Sequence, residues 1–516
     1  MVQYIQYFVW YQAITGLLQI TGISIWCLYF VPNTELAYGI WIMLVVITKQ
    51  YPGFPGVFKG ALNSLQHFDK KATLEFLQSE AIQRLTEIVF VLLGKWYGAS
   101  NPAVGELLGI AIGATFGLYL DDLIVAFIAA KFLADALDDY GISFKRLFYI
   151  EFDMDLVKEC LSFGLKTGLP SILFASTQLI ALSLSLAYVP QYTTFIVLKD
   201  MAIMLVATTD RLVRQDFTPV FTEAYQNDKI KLCQYYHAHA FRFYFINSGF
   251  AIAIMLTVMS IFDNVFLGFG LDRYFLTIPF LIPALIYRCT RPYQRYPETL
   301  FVAAHRPNQL FILKVFEEGM KILCWYLTIA VFKVQDLGLA GIVYTLTLAD
   351  YPAILLKILI AFIYINRRIF KLKYLTWQTF GAPMLATAIL FGLFTSLRIT
   401  ILDPLWDTQF MLALILGLVF IIFLVLGVYF PLTVVLGAWD DDSIRDFKKV
   451  QKMAGPSTFV VKPMAKVIFW IADKNPKLHN KFKDEELSRE ALEEIKELIA
   501  IRNQNREFYL TPNSND

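Results

Sequence analysis

From Tyr7 to Gly437 the sequence is a succession of long apolar segments, each close to the roughly 17 to 25 residues that carry a helix across a bilayer. Twelve are read, at about 7–30, 37–62, 76–98, 103–131, 167–188, 193–216, 241–262, 274–290, 310–332, 338–366, 376–397 and 407–437. Inside lipid every backbone amide and carbonyl must find its partner within the segment, so runs of this length are expected as helices. The expected fold is an all-α polytopic membrane protein of about 12 transmembrane helices. Only 17% of the 516 residues are charged and 57% are hydrophobic, whereas a soluble surface takes about a quarter charged residues. The net charge of +2 argues against a globally basic nucleic-acid binder and against an acidic disordered chain, so no nucleic acid is expected as partner.

The distribution of Lys and Arg between spans sets the orientation. Alternate loops hold 20 of them, from Lys70 and Lys71 through Lys131–Lys166, Arg211–Arg242 and Arg288–Arg306 to Arg367–Lys373, and the other loops hold only Lys95, Arg273, Lys333 and Arg398. By the positive-inside rule the rich loops and the C-terminal tail face the cytoplasm. The poor loops are short, which leaves little room for the outer acceptor site of a membrane glycosyltransferase or polymerase. Beyond Gly437 the chain becomes polar. Phe459–Ala472 reads as a short helix on the inner membrane surface, and the stretch from Ser488 as an amphipathic helix with a Ser N-cap, either solvated or docking a partner. The stretches 151–166 and 216–240 read as lateral helices.

A shift of 237 residues lays Pro55 on Pro292, Glu80 on Glu317 and Arg84 on Lys321, which favours a duplication. Repeated halves around a central site are a common plan of secondary transporters.

Motifs for nucleotide binding, hydrolysis or zinc are absent from the sequence, and the five cysteines lie scattered without a CxxC pair. Neither a cofactor nor a metal is expected, and a transporter is expected rather than an enzyme. Ionisable residues inside spans are costly in lipid and should face a cavity or a partner. The deepest bases are Lys49, Arg84, Lys199 and Lys321, candidates to grip an anionic headgroup such as pyrophosphate through charge-assisted hydrogen bonds. Glu80, Glu317 and Asp350 are candidates for charge balance or ion coupling. Glu80, Arg84 and Glu87 lie at i, i+4 and i+7, and Glu317 with Lys321 repeats the pair.

Two segments carry a resemblance. Gly60-Ala-Leu-Asn-Ser-Leu-Gln-His-Phe-Asp-Lys-Lys and Phe217-Thr-Pro-Val-Phe-Thr-Glu-Ala-Tyr-Gln-Asn-Asp-Lys-Ile-Lys-Leu resemble the cytoplasmic connections of oligosaccharide and polysaccharide flippases in the MATE-like exporter superfamily. The resemblance implies two lobes, the first lacking the family's first two of fourteen helices. It divides residues 1–437 into an incomplete lobe at 1–135, a six-helix lobe at 136–366 and two further spans at 367–437; the charged cytoplasmic tail at 438–516, read from composition, lies outside it. It also implies a plasma-membrane flippase of polyprenyl-pyrophosphate-linked oligosaccharide serving cell-surface polysaccharide or glycoprotein synthesis. The implied partners are the lipid-linked oligosaccharide, membrane lipid, H+ or Na+ as coupling ion, and glycan-assembly proteins at the tail. The rival readings are a MATE-type cation or drug antiporter and a polytopic glycosyltransferase or polymerase.

Overall fold

The computed structural model describes residues 2–29, 53–213, 217–453, 458–474 and 479–510, with Pro32, Ile40, Met43 and Leu44 between the first two stretches. Among the described residues every regular element is helical. Seven stretches are long and apolar enough to cross a membrane: Val2–Tyr29, Glu106–Asp138, Met154–Tyr188, Ile230–Met259, Leu339–Arg368, Trp377–Trp406 and Phe410–Val435. The protein is therefore an all-α membrane protein. The expected spans at 76–98, 193–216, 274–290 and 310–332 are largely helical as well but carry charged residues, and half of 37–62 lies outside the described residues. The chain forms two compact units, residues 1–163 with 504–516, and residues 164–503. The division falls within a helix, where the sequence placed a lobe boundary at 135/136.

Unit 1 contains α1 (Val2–Tyr29), α2 (Phe54–Ser64), α3 (Phe68–Phe76), a π-helical turn (Leu77–Ile82), α4 (Gln83–Ser100), α5 (Glu106–Asp138), and the start of α6 (Met154–Tyr188). Its core joins Val9, Phe58, Leu62, Leu74, Val125, Ala129 and Leu133. The Gln6 amide nitrogen of α1 donates to the Arg146 carbonyl at 2.9 Å, and the Trp10 indole to the Phe148 carbonyl at 3.2 Å.

The α4–α5 hairpin is closed by glycines. A Cβ at Gly94 would stand 2.2 Å from the Gly109 carbonyl oxygen, one at Gly98 2.3 Å from that of Gly105, and one at Gly113 2.1 Å from that of Phe90. In lipid no hydrophobic force drives helices together, so close backbone approach between small residues supplies the attraction.

Unit 2 continues α6 and adds α7 (Tyr192–Val213), α8 (Thr218–Gln226), α9 (Ile230–Met259), α10 (Phe262–Gly268), α11 (Ile278–Ala303), α12 (Pro307–Trp325), α13 (Leu339–Thr347), α14 (Tyr351–Arg368), α15 (Ala382–Leu397), α16 (Asp403–Trp406), α17 (Phe410–Leu424) and α18 (Phe430–Val435). The tail folds into α19 (Asp441–Met453), α20 (Thr458–Lys474) and α21 (Glu485–Leu510). Two lateral-helix expectations change here. Residues from Met154 onward are the start of the 35-residue α6, and only Thr218–Gln226 forms a separate short helix.

α11 runs past the expected end of its span at 290, so Arg291 and Arg295 lie on a helix rather than in a loop. Pro292 and Pro297 are inside it. A proline frees the carbonyl four residues back and opens the helix. The Lys357 ammonium donates to the Gln294 carbonyl at 2.9 Å, next to the one Pro297 frees.

The turns α2–α3 and α11–α12 match hydrogen bond for hydrogen bond. Leu65, Gln66 and His67 donate to the carbonyls of Ala61, Asn63 and Leu62, and Ala304, His305 and Arg306 to those of Leu300, Val302 and Phe301. The central residues are left-handed, Gln66 at φ 62° and His305 at φ 53°. This is the usual way a helix ends and satisfies its last carbonyls, and the α8–α9 turn repeats it at Asn227, Asp228 and Lys229. Counterparts in the first two turns lie 239 residues apart, not 237. That register pairs Lys59 with Glu298 and Gln78 with Glu317.

The tail docks on unit 2. The Lys231 ammonium donates to Glu490 at 2.7 Å, the Leu232 amide to Glu494 at 2.6 Å, and Arg502 to both Glu223 oxygens at 2.7 Å. Lys229 donates to Glu497. Ala491 and Leu498 of α21 join the apolar cluster of Phe221, Leu232 and Phe301. The amphipathic helix expected in the tail thus packs on its own chain. Its cap is Asp484, whose carboxylate accepts from the Leu487 amide at 3.0 Å, while the Ser488 hydroxyl donates to Asp442 at 3.4 Å. At the head of the tail, Asp440 is buried against the Arg242 guanidinium at 2.5 Å.

Candidate functional site

The seven residues singled out in the sequence part company in the structure. Lys49 lies outside the described residues, as does the side chain of Glu80. Arg84 is 56% exposed and pairs with Glu87 at 3.5 Å. The backbone at residue 80 belongs to the π-helical turn Leu77–Ile82. Lys199 pairs loosely with Asp200 at 3.8 Å. It also interacts electrostatically with Asp350, and Asp350, buried at the start of α14, does so with Lys321 and Glu317.

Glu317 and Lys321 are the heart of an ion cluster. Glu317 is fully buried, accepts from Lys321 at 2.9 Å and Lys314 at 3.0 Å, and lies 3.4 Å from Lys357. The Gln294 amide donates to it at 2.5 Å. Lys321 also donates to Glu318 at 2.8 Å, and Lys314 to Glu298 at 2.6 Å. Glu298 receives Lys357 as well. The one-turn spacing of Lys314, Glu317, Glu318 and Lys321 on α12 makes part of this local. The remainder is long-range, with α11 supplying Gln294 and Glu298 and α14 supplying Lys357. Each charge desolvated here costs several kcal/mol unless paired, so the cluster holds together only as a set.

Beside it lies a cavity of about 320 Å³. Its walls are Pro170, Ser171 and Phe174 of α6, Tyr287, Arg291, Gln294, Arg295 and Glu298 of α11, and Leu310, Lys314, Glu318 and Lys321 of α12. Four bases thus face two acids. Lys321 also stands 5.6 Å over the Phe174 ring, a favourable place for a cation. Glu318, on the same wall, keeps one buried oxygen, Oε2, without a hydrogen-bond partner. The arrangement suits a ligand that brings negative charge to the bases and a hydroxyl to Glu318.

Unit 1 holds a larger cavity of about 930 Å³, whose polar wall includes Gln12, Lys59, Gln78 and Asp122. Lys59 donates to Gln78 at 2.5 Å, and Gln78 to Asp122 at 2.7 Å. Among the described residues that wall carries one base and one acid, against four bases and two acids in unit 2, which makes the smaller cavity the better candidate for an anion.

The sequence did not mark Gln294, Arg291, Arg295, Glu298 or Glu318 as site residues. A signal existed: Arg291, Arg295 and Glu298 lie at i, i+4 and i+7, one face of a helix, but the prolines beside them read as the end of a span. Among the described residues no group of three or more His, Cys, Asp and Glu is placed to hold a metal ion. Comparison with family models, curated proteins and solved structures finds no match for the chain.

Proposed function

We propose that this protein is a membrane transporter whose cargo presents an anionic headgroup to the unit 2 cavity. Following the resemblance in its connecting segments, the cargo is a polyprenyl-pyrophosphate-linked oligosaccharide, moved by alternating access to the outer leaflet of the plasma membrane, with the tail in the cytoplasm. The observation that supports this best is the grouping of Arg291, Arg295, Lys314 and Lys321 on the wall of one cavity in an all-helical membrane protein. Lys314 and Lys321 are fixed by Glu317, so they are preorganised for a diphosphate. Arg291 and Arg295 add planar donors suited to phosphate oxygens.

The cation-antiporter reading would need a carboxylate available to cargo. On the wall of this cavity Glu298 and Glu318 are outnumbered by four bases, which favours the anionic cargo.

The test is transfer of a fluorescent polyprenyl-pyrophosphate glycan by protein reconstituted in liposomes. R291Q/R295Q should slow transfer by about tenfold or more, since a hydrogen bond to a charged group contributes roughly 1.5–3 kcal/mol. R84Q, in unit 1, should leave transfer unchanged. Full transfer by R291Q/R295Q would overturn the assignment of the site, and efflux of cationic dyes by the wild type would favour the antiporter.

A further inference from the structure

α18 ends at Val435, and the chain beyond it folds back on the last helices. Ile468 and Ala472 of α20 share one apolar cluster with Leu424, Tyr429 and Val434, so α20 is pinned to the end of the bundle from which the last span emerges. Its inner face is spent on that packing, with Ala465, Ile468 and Ala472 buried. The opposite face carries Lys462, Lys466, Trp470 and Lys474, all exposed and spaced by four residues, hence in one stripe. Val467 beside it is 43% exposed and Trp470 58%. The Lys474 ammonium stands 4.7 Å over the Trp470 ring. Asp473 is the single acidic residue in α20.

An exposed Trp and Val among three lysines is poorly matched to water. It is well matched to the headgroup layer, where Trp rings settle at the interface and basic side chains meet lipid phosphate. We infer that the outward stripe of α20 is a docking surface for anionic phospholipid headgroups of the membrane that holds the bundle. A free amphipathic helix would insert its apolar face. α20 has already buried that face in protein, and among its described side chains the large apolar ones left exposed are Trp470 and Val467, ringed by charge. Each lysine near an anionic surface contributes about fivefold to the partition.

The test uses the full chain in nanodiscs of phosphatidylcholine, alone or mixed with phosphatidylglycerol, with a photo-cross-linking p-benzoylphenylalanine at Trp470. Mass spectrometry of the adducts should show phosphatidylglycerol enriched over its share of the disc. K462E/K466E/K474E should lower that enrichment at least tenfold, while the same probe at exposed Leu418 of α17 keeps its lipid adducts. Without any substitution, salt at about 1 M should reduce the enrichment, because screening shortens the reach of the lysines to about 3 Å. Adducts to protein in place of lipid, or a lipid mixture at Trp470 that ignores lipid charge, lysine reversal and salt, would overturn the inference.

Discussion

In unit 1 the helix before the turn carries a base, Lys59, the segment after it an amide, Gln78, and α5 closes the chain with an acid, Asp122. In unit 2 the positions 239 residues on hold acids, Glu298 and Glu317, and the closing group on α14 is a base, Lys357. The backbone around the two turns is the same, yet the order of charge is reversed. A neutral amide between base and acid needs no further partners. A buried carboxylate in the same place needs several, and Lys314, Lys321 and Lys357 all converge on Glu317. Unit 2 therefore carries its polar contacts as an ion cluster and sets four bases on the wall of a cavity. Unit 1 adds to its apolar core the close glycine contact of α4 with α5.

The largest effect expected from this contrast is at Glu317. Its replacement by Ala leaves buried Lys321 and Lys357 and half-buried Lys314 without their shared acid and should cost about 3–5 kcal/mol, read as a lower unfolding midpoint in detergent. E317Q, which copies the amide of unit 1, should lose less; equal losses would mean that the amide relay is no substitute for charge. Next comes G109V in unit 1, where the added side chain meets backbone and should cost roughly 1–3 kcal/mol and raise hydrogen exchange along α4 and α5. A silent G109V would remove close packing as a source of cohesion there.

Asp440 offers a pH test within unit 2. Burial alone would raise its carboxyl, but the charge and hydrogen bond of Arg242 outweigh burial and hold it well below the usual carboxylate range. A lowered folded-state value means that the contribution is fully present above the ordinary aspartate value of 3.8 and is lost as pH falls through the folded one. Release of the tail, followed by the near-ultraviolet signal of the neighbouring Trp439, should thus lie below about pH 4. D440N should remove that acid transition. The smallest effect is expected at Arg84, where R84A breaks an exposed pair and should cost less than about 1 kcal/mol; a loss comparable with E317A would erase the distinction between the units.

Much of the helical layout was legible because a helix in lipid announces itself by length and apolar content alone. The pair Glu317 and Lys321 was legible too, since one turn of helix brings them together wherever the helix goes. The helix beyond 290 is not legible in the sequence because its prolines signal termination locally, and Lys357, which donates to the carbonyl next to the one Pro297 frees, lies 63 residues from Gln294. The tail helix was recognised by its amphipathic pattern, but its partner was not, because Glu490 and Glu494 meet Lys231 and Leu232 only after the chain has folded.

By itself the sequence determined that this chain is helical, that it belongs in a membrane, and that Glu317 and Lys321 pair along one helix. Only the tertiary structure decided which charges share a cavity. That choice separated buried Lys321 from exposed Arg84, although both sit beside a glutamate at helical spacing. The reason is physical: pairing along one helix is set by its pitch, whereas burial of a charge is set by what neighbouring helices bring to it.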